Sequence, residues 1–205
     1  EYTALWVDIQ IARELPDPRK AFKSILVAIE MALGRDLPAL KQPSHETLLE
    51  DPSSAILKCL MELSAEAPRP LVLFFDEADG LVGEAMVSFL TQLRTGYIAR
   101  SNQAFPRSIA LIGMRQVRDY ILTTEDRRAL SWLGTTSPFN ITAEAATLRP
   151  FTSKDVEELL GQHTHETGQV FEREAIDLVF ELSRGQPWLV NALADLAVDR
   201  FAPDR

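Results

Sequence analysis

The sequence predicts an α/β protein: a parallel sheet with its helices, followed by a small all-helical segment. Short apolar runs alternate with helical periodicity in the first part of the chain, and only helical periodicity follows residue 150. The clearest run, residues 71–75, leads directly into Asp76 and Glu77. An unbroken apolar run of this length is typical of a strand covered on both faces of a parallel sheet. We therefore predict an α/β core over residues 1–149 and a helical subdomain over 150–205.

The individual elements follow from local patterns. The predicted strands cover residues 4–9, 71–75, 108–113 and, as a short stretch, 139–141. Apolar residues at helical spacing predict a first helix over residues 17–33, which we expect to end at Gly34. Residues 35–51 predict a loop, and Ser53 or Ser54 is expected to cap a second helix before the strand at 71–75.

The segment after residue 150 carries clear helix signals. Thr152 and Asp155 have the spacing of a capping box, and Phe151 and Val156 have that of a hydrophobic staple. Pro187 occupies a favoured first-turn position. The predicted helices cover residues 153–162, 172–183 and 187–200.

Composition narrows the classes of function. The chain has 205 residues, 46% of them hydrophobic, and no run approaches the roughly 18 apolar residues of a membrane span. We therefore expect no membrane partner. The single cysteine, Cys59, excludes an internal disulfide and is consistent with a cytoplasmic protein. The net charge of −9 gives little support to a nucleic-acid partner.

The acid pair Asp76-Glu77 is the main chemical signal. Carboxylates at the end of a buried strand are costly unless the site needs negative charge, for example to hold hydrated Mg²⁺ and orient a water. The same residues also fit a buried strand that ends in a solvated turn. The next predicted strand leads into Arg115, and the carboxyl ends of parallel strands share one edge. We expect Asp76, Glu77 and Arg115 to converge there, with Arg115 reaching a terminal phosphate.

Four motifs in order resemble one family. They are residues 71–81, an acidic Walker B strand; residues 109–120, a sensor-1 strand; residues 148–152, the entry to a helical lid; and residues 185–191, which contain Gly-Gln-Pro. The chain resembles the AAA+ and STAND-type branch of P-loop ATPases, especially bacterial AAA-like ATP-binding proteins related to archaeal and origin-recognition-type ATPases. The resemblance implies a P-loop NTPase-type parallel sheet followed by a helical lid.

The resemblance also implies roles for particular residues. ATP and Mg²⁺ would be the ligands: Asp76 would support Mg²⁺ through water, and Glu77 would activate the attacking water. Arg115 would take the sensor-1 position, and Pro187 would mark the lid surface that faces the nucleotide base. An ordinary helix-initiating proline explains Pro187 equally well. The family also suggests a homo-oligomer or a protein partner.

The chain departs from the family pattern in one respect. It contains no Gly-x-x-x-x-Gly-Lys-Ser/Thr loop, and no lysine follows a glycine. The family places that loop on the strand before residue 1, so we infer that this chain begins downstream of it. We expect the chain alone to bind ATP poorly and to leave the strand at 108–113 as an open edge.

Two other functions fit parts of the sequence. The letters of residues 76–79 match the signature of DEAD-box RNA helicases, but residues 111–115 read Leu-Ile-Gly-Met-Arg where those helicases carry Ser-Ala-Thr. A nucleotide-dependent switch or protein-interaction module that hydrolyses slowly would share the ATP site. Comparing turnover with the Glu77→Gln variant distinguishes this switch from an ATPase.

Overall fold

The chain forms two compact units, Glu1–Ala143 and Glu144–Arg205. The computed structural model describes residues 1–41, 43–114 and 146–201. Each unit has its own hydrophobic core. The boundary predicted from the sequence, between residues 149 and 150, lies inside the second unit, shortly before its first helix.

The first unit is built on a parallel sheet. Within the described ranges the sheet has three strands, β1 (Thr3–Asp8), β2 (Leu71–Asp76) and β3 (Ser108–Leu111), in the order β1-β2-β3. Both strand pairs are parallel, as the sequence predicts for 71–75 and 108–113. The predicted strand at 139–141 and residue Arg115 lie outside the described residues. The prediction of a mixed α/β fold with a parallel sheet is confirmed.

Helices connect the strands. They are α1 (Pro18–Asp36), α2 (His45–Leu49), α3 (Ala55–Glu66) and α4 (Gly83–Ala99), with single 3₁₀ turns at Gln10–Ala12 and Ala78–Gly80. The prediction that residues 35–51 form a loop was wrong in part, because α2 lies within this range. No helix in the described part of the chain has both the length and the apolar character needed to cross a membrane.

Helix α1 is longer than its sequence pattern predicts. It begins where the Asp17 carboxylate accepts the Lys20 N–H at 3.1 Å, with Pro18 in the first turn. The expected end at Gly34 was wrong, because the helix continues to Asp36. A glycine in a helix costs only about 1 kcal/mol relative to alanine, so it does not stop a well-packed helix. The helix ends before Pro38, which disfavours helical backbone at Leu37.

The sheet buries one face. Side chains alternate along β1 and β2, and the buried set consists of Thr3, Leu5, Val7, Leu71, Leu73 and Phe75. On the other face Trp6 is 44% exposed and stacks on half-buried Phe74, with ring centroids 5.8 Å apart. Residues 71–75, for which the sequence predicts cover on both faces, are buried on one face and half-buried on the other. Parallel crossovers are right-handed in nearly all proteins, so a strand order that follows the chain puts the crossover helices on one face.

A buried glutamine joins α3 to α4. Gln92 is 2% exposed, and its Oε1 accepts the N–H groups of Ile56 (2.9 Å) and Leu57 (3.1 Å) in the first turn of α3. Its Nε2 donates to the carbonyl of Pro52 at 3.0 Å. Ser54 stands at the N-cap position but does not cap the helix, because its hydroxyl donates to Asp51 instead. Gln92 thus satisfies the helix N–H groups that a capping side chain would otherwise accept.

The second unit is helical. Its helices are α5 (Ser153–Thr167), α6 (Arg173–Ser183) and α7 (Pro187–Phe201). The capping box of Thr152 with Asp155 is confirmed, and α7 begins at Pro187 as predicted. Helix α5 extends beyond its expected end at 162 and stops at Gly168, whose φ is 78°. The core consists of Val156, Leu160, Ile176, Val179 and Val190, with Phe151 packed against it.

The segment before α5 is fixed against the turn between α6 and α7. The Phe151 N–H donates to the carbonyl of Gly185 at 2.7 Å. Gly185 has a φ of 75°, and a Cβ at this position would collide with the Phe151 carbonyl oxygen. Close backbone approach therefore explains the glycine in Gly-Gln-Pro without reference to a ligand.

We expect Gln92→Leu to lower the free energy of unfolding by about 2 kcal/mol, because it leaves buried backbone groups of α3 without their partner. Chemical denaturation measures the change. Thr95→Ala on the exposed side of the same helix serves as the control and should alter stability by less than about 0.5 kcal/mol. Equal effects of the two substitutions would contradict a capping role for Gln92.

Stability at the start of α5 should depend on pH. The Arg149 guanidinium, followed by the backbone and hydroxyl of Thr152, holds the pKa of Asp155 far below its usual value. Because folding lowers the pKa of Asp155, the ionised carboxylate stabilises the fold fully at pH values above the ordinary carboxyl pKa of about 4. This stabilisation is lost as the pH falls below that value. We expect hydrogen-exchange protection factors for residues 153–158 to fall on acidification in the wild type.

The Asp155→Asn variant tests this prediction. It should show weaker protection than the wild type at pH 7 and little further loss on acidification. Glu181→Gln, at an exposed position on α6, is the control and should behave as the wild type. Unchanged protection in Asp155→Asn at pH 7 would contradict the role given to the carboxylate.

Candidate functional site

The carboxyl edge of the sheet gathers acidic residues. Strands β1 and β2 end on Asp8 and Asp76, which are direct partners in the parallel register. Neighbouring strands lie about 4.8 Å apart, so the two residues stand side by side. The Asp8 carboxylate accepts the Gln10 N–H at 2.9 Å, and that of Asp76 accepts the Glu77 N–H at 3.0 Å. Two carboxylates therefore lie together at the ends of adjacent strands.

Glu77 follows β2 in an unusual backbone conformation. Its φ of 57° and ψ of 29° lie in the left-handed region, which costs a residue with a side chain about 1–3 kcal/mol. Its carboxylate forms an ion pair with Arg13, with Oε2 2.7 Å from Nη2, although the residues are 64 positions apart. Both side chains remain partly exposed, at 34% for Glu77 and 48% for Arg13.

The loops after β1 and β2 interlock around this ion pair. Glu14, like Glu77, has a left-handed backbone, with φ 59°. Its N–H donates to the carbonyl of Gly80 at 2.9 Å. A Cβ on Gly80 would lie 3.3 Å from the Cβ of Arg13, so the glycine allows the loops to approach closely. Strained non-glycine residues cluster at functional sites more often than elsewhere.

The segment after β3 joins the same edge. The Ile112 N–H donates to the carbonyl of Phe75 at 2.8 Å, and the Ile112 carbonyl accepts from Ala78 at 2.9 Å. The Met114 N–H donates to the Asp79 carboxylate at 3.2 Å. A Cβ at Gly113 would overlap that carboxylate. Asp79 therefore fixes the chain as it leaves β3.

The carboxylates at this edge suit hydrated Mg²⁺ better than a metal ion whose ligands all come from protein side chains. In the described ranges no three His, Cys, Asp or Glu side chains converge on one point. Mg²⁺ usually keeps several waters and binds through one or two carboxylates together with substrate phosphates. The adjacent carboxylates of Asp8 and Asp76 meet this requirement. Arg13 adds a positive charge at the same edge.

The predicted site residues fall in different places. Asp76 and Glu77 lie at the carboxyl edge of the sheet, whereas Arg115 is outside the described residues. Pro187 is exposed at the start of α7 in the second unit. From the sequence, Asp8 at the end of the first strand could approach this edge, although a surface turn acid is the preferred interpretation. The sequence pattern assigns no role to Arg13, which the edge-sharing rule for parallel strands could have indicated because Arg13 lies shortly after β1.

Comparisons with protein-family models and with curated proteins identify no relative of this chain: no family model and no curated protein matches it. A proposal for its function therefore depends on the chemistry of the residues at the sheet edge.

We expect Gly113→Ala to destabilise the protein by about 1–3 kcal/mol, because the added methyl group displaces the Asp79 carboxylate and breaks its bond to Met114. Thermal or chemical unfolding measures the effect. The chain provides a matched control in Gly34, which lies inside α1 with no atom near the position of an added Cβ. Gly34→Ala should stabilise by about 0.5–1 kcal/mol, and destabilisation of the same size at both positions would contradict the steric argument.

Proposed function

We propose that this chain provides the magnesium- and water-handling part of an ATP-hydrolysing site of the P-loop class. The observation that carries the proposal is the in-register pair Asp8 and Asp76, followed directly by Glu77, at the carboxyl edge of a parallel sheet. Ligands of open α/β sheets bind outside this edge. The order of the three described strands, which follows the chain, is also compatible with the resemblance.

Each residue has a defined task in this proposal. Asp76 and Asp8 would hold Mg²⁺ through its waters, and the ion would neutralise charge on the phosphates. Glu77 would accept a hydrogen bond and then the proton of the attacking water at a carboxylate oxygen. Arg13 pairs with the Glu77 carboxylate and so holds this side chain near the sheet edge. Arg115 as the phosphate sensor and Pro187 as a base contact stay predictions.

ATP hydrolysis by the natural full-length protein, measured with and without Mg²⁺, tests the proposal. Glu77→Gln should lower kcat by about 10²–10⁴, the usual contribution of a general base, while ATP affinity changes by less than about threefold. Glu14→Gln is the matched control, since Glu14 is another exposed acid at the same edge with a left-handed backbone. It should hydrolyse ATP as the wild type does.

The outcomes separate the candidate functions. Measurable Mg²⁺-dependent turnover that Glu77→Gln abolishes supports an ATPase. Tight ATP binding with negligible turnover in the wild type favours the switch and contradicts the assignment of Glu77 as a working base. Absence of ATP binding by the full-length protein contradicts both.

A further inference from the structure

A second charged feature lies on the first two turns of α1. Arg19, Lys20 and Lys23 fall within about 100° of one another around the helix, given 100° per residue, and so share one face. Together with His45, Glu46 and Leu49 of α2 they line a surface cavity of about 540 Å³. Cavities of roughly 300–1,000 Å³ are the size that small ligands occupy.

Within the described part of the chain, no acidic side chain forms an ion pair with these cations, Arg19, Lys20 and Lys23. By contrast, Arg13, Arg35, Arg69, Arg149 and Arg173 each contact a carboxylate. Arg19 and Lys20 also lie in the first turn of α1, which contains no acid and where the helix dipole disfavours cations. Helix stability therefore does not explain their positions.

The charge balance of the cavity indicates the kind of ligand. Among the side chains that line the cavity, the three cations Arg19, Lys20 and Lys23 stand against one carboxylate, that of Glu46. This leaves a surplus of two positive charges, which matches the charge of about −1.5 to −2 that a phosphate monoester carries at pH 7. Leu49, only 7% exposed, gives the cavity an apolar wall.

We propose that this cavity binds a small organic phosphate. The Arg19 guanidinium suits two parallel hydrogen bonds to phosphate oxygens, and the two lysines supply mobile point charges. The apolar part of the ligand packs on Leu49. A nucleic acid fits less well, because the net charge of −9 repels a long polyanion beyond this patch. The proposal uses none of the residues assigned to the ATP site and does not depend on ATP hydrolysis.

Phenyl phosphate is a suitable probe because it joins a dianion to an apolar ring. We expect saturable binding by calorimetry, weaker at high salt, with amide chemical-shift changes centred on residues 19–23 and 45–49. The double variant Arg19→Ala/Lys23→Ala should weaken binding by about tenfold or more, since it removes two charge-assisted contacts. Lys58→Ala/Arg107→Ala removes the same charges from exposed positions outside the cavity and should retain wild-type binding within about twofold.

Two further ligands test whether the cavity prefers a small organic phosphate to inorganic phosphate and to a nucleic acid. Inorganic phosphate should bind more weakly than phenyl phosphate, because it has no group to pack on Leu49. A single-stranded oligonucleotide should not compete with phenyl phosphate. Lack of phenyl phosphate binding, equal losses in the two double variants, or tight oligonucleotide binding that displaces the probe would each overturn the proposal.

Discussion

The parallel, in-register pairing of β1 with β2 is the constraint on which the rest of the first unit depends. The pairing runs from Thr3 against Leu71 to Asp8 against Asp76, so both strands end at the same level. It aligns three buried residues of each strand on one face and brings two carboxylates together at the edge. A shift of one residue would turn the apolar side chains to the opposite face and separate the acids. The same register thus fixes both the core and the candidate site.

The loops at this edge adopt conformations that local sequence preference disfavours. Glu77 and Glu14 both occupy the left-handed region, and the carbonyl of Gly80 accepts the N–H of Glu14. The ion pair between Glu77 and Arg13 crosses between the same loops. An exposed ion pair stabilises a protein by only about 0–1 kcal/mol, which does not offset two strained residues. The energy that holds these loops comes instead from the core beneath them, and this is the usual arrangement at a functional site.

The hydrophobic core of the first unit lies mainly against one face of the sheet. Helices α1, α3 and α4 contribute to the core on the buried face of the sheet, where Phe89 packs edge-on against Phe75 at 5.3 Å. The opposite face presents the stacked pair Trp6 and Phe74. Burying apolar area stabilises a protein by about 25 cal/mol per Å², so the part of this aromatic pair that stays exposed to water does not contribute that stabilisation. Side-chain alternation alone did not reveal this asymmetry, since both faces of β2 are apolar in the sequence.

Local patterns in the sequence identified most of the described strands and helices. The apolar runs marked the strands, Thr152 and Asp155 marked the start of α5, and Pro187 marked the start of α7, because each signal acts over a few adjacent residues. The acid pair at the end of β2 was visible for the same reason. Tertiary structure alone decided that Gln92 caps α3, that Gly34 stays within α1, and that Arg13 meets Glu77. These outcomes depend on which side chains a register and a crossover bring together across tens of residues, and that information is not contained in the spacing of neighbouring residues.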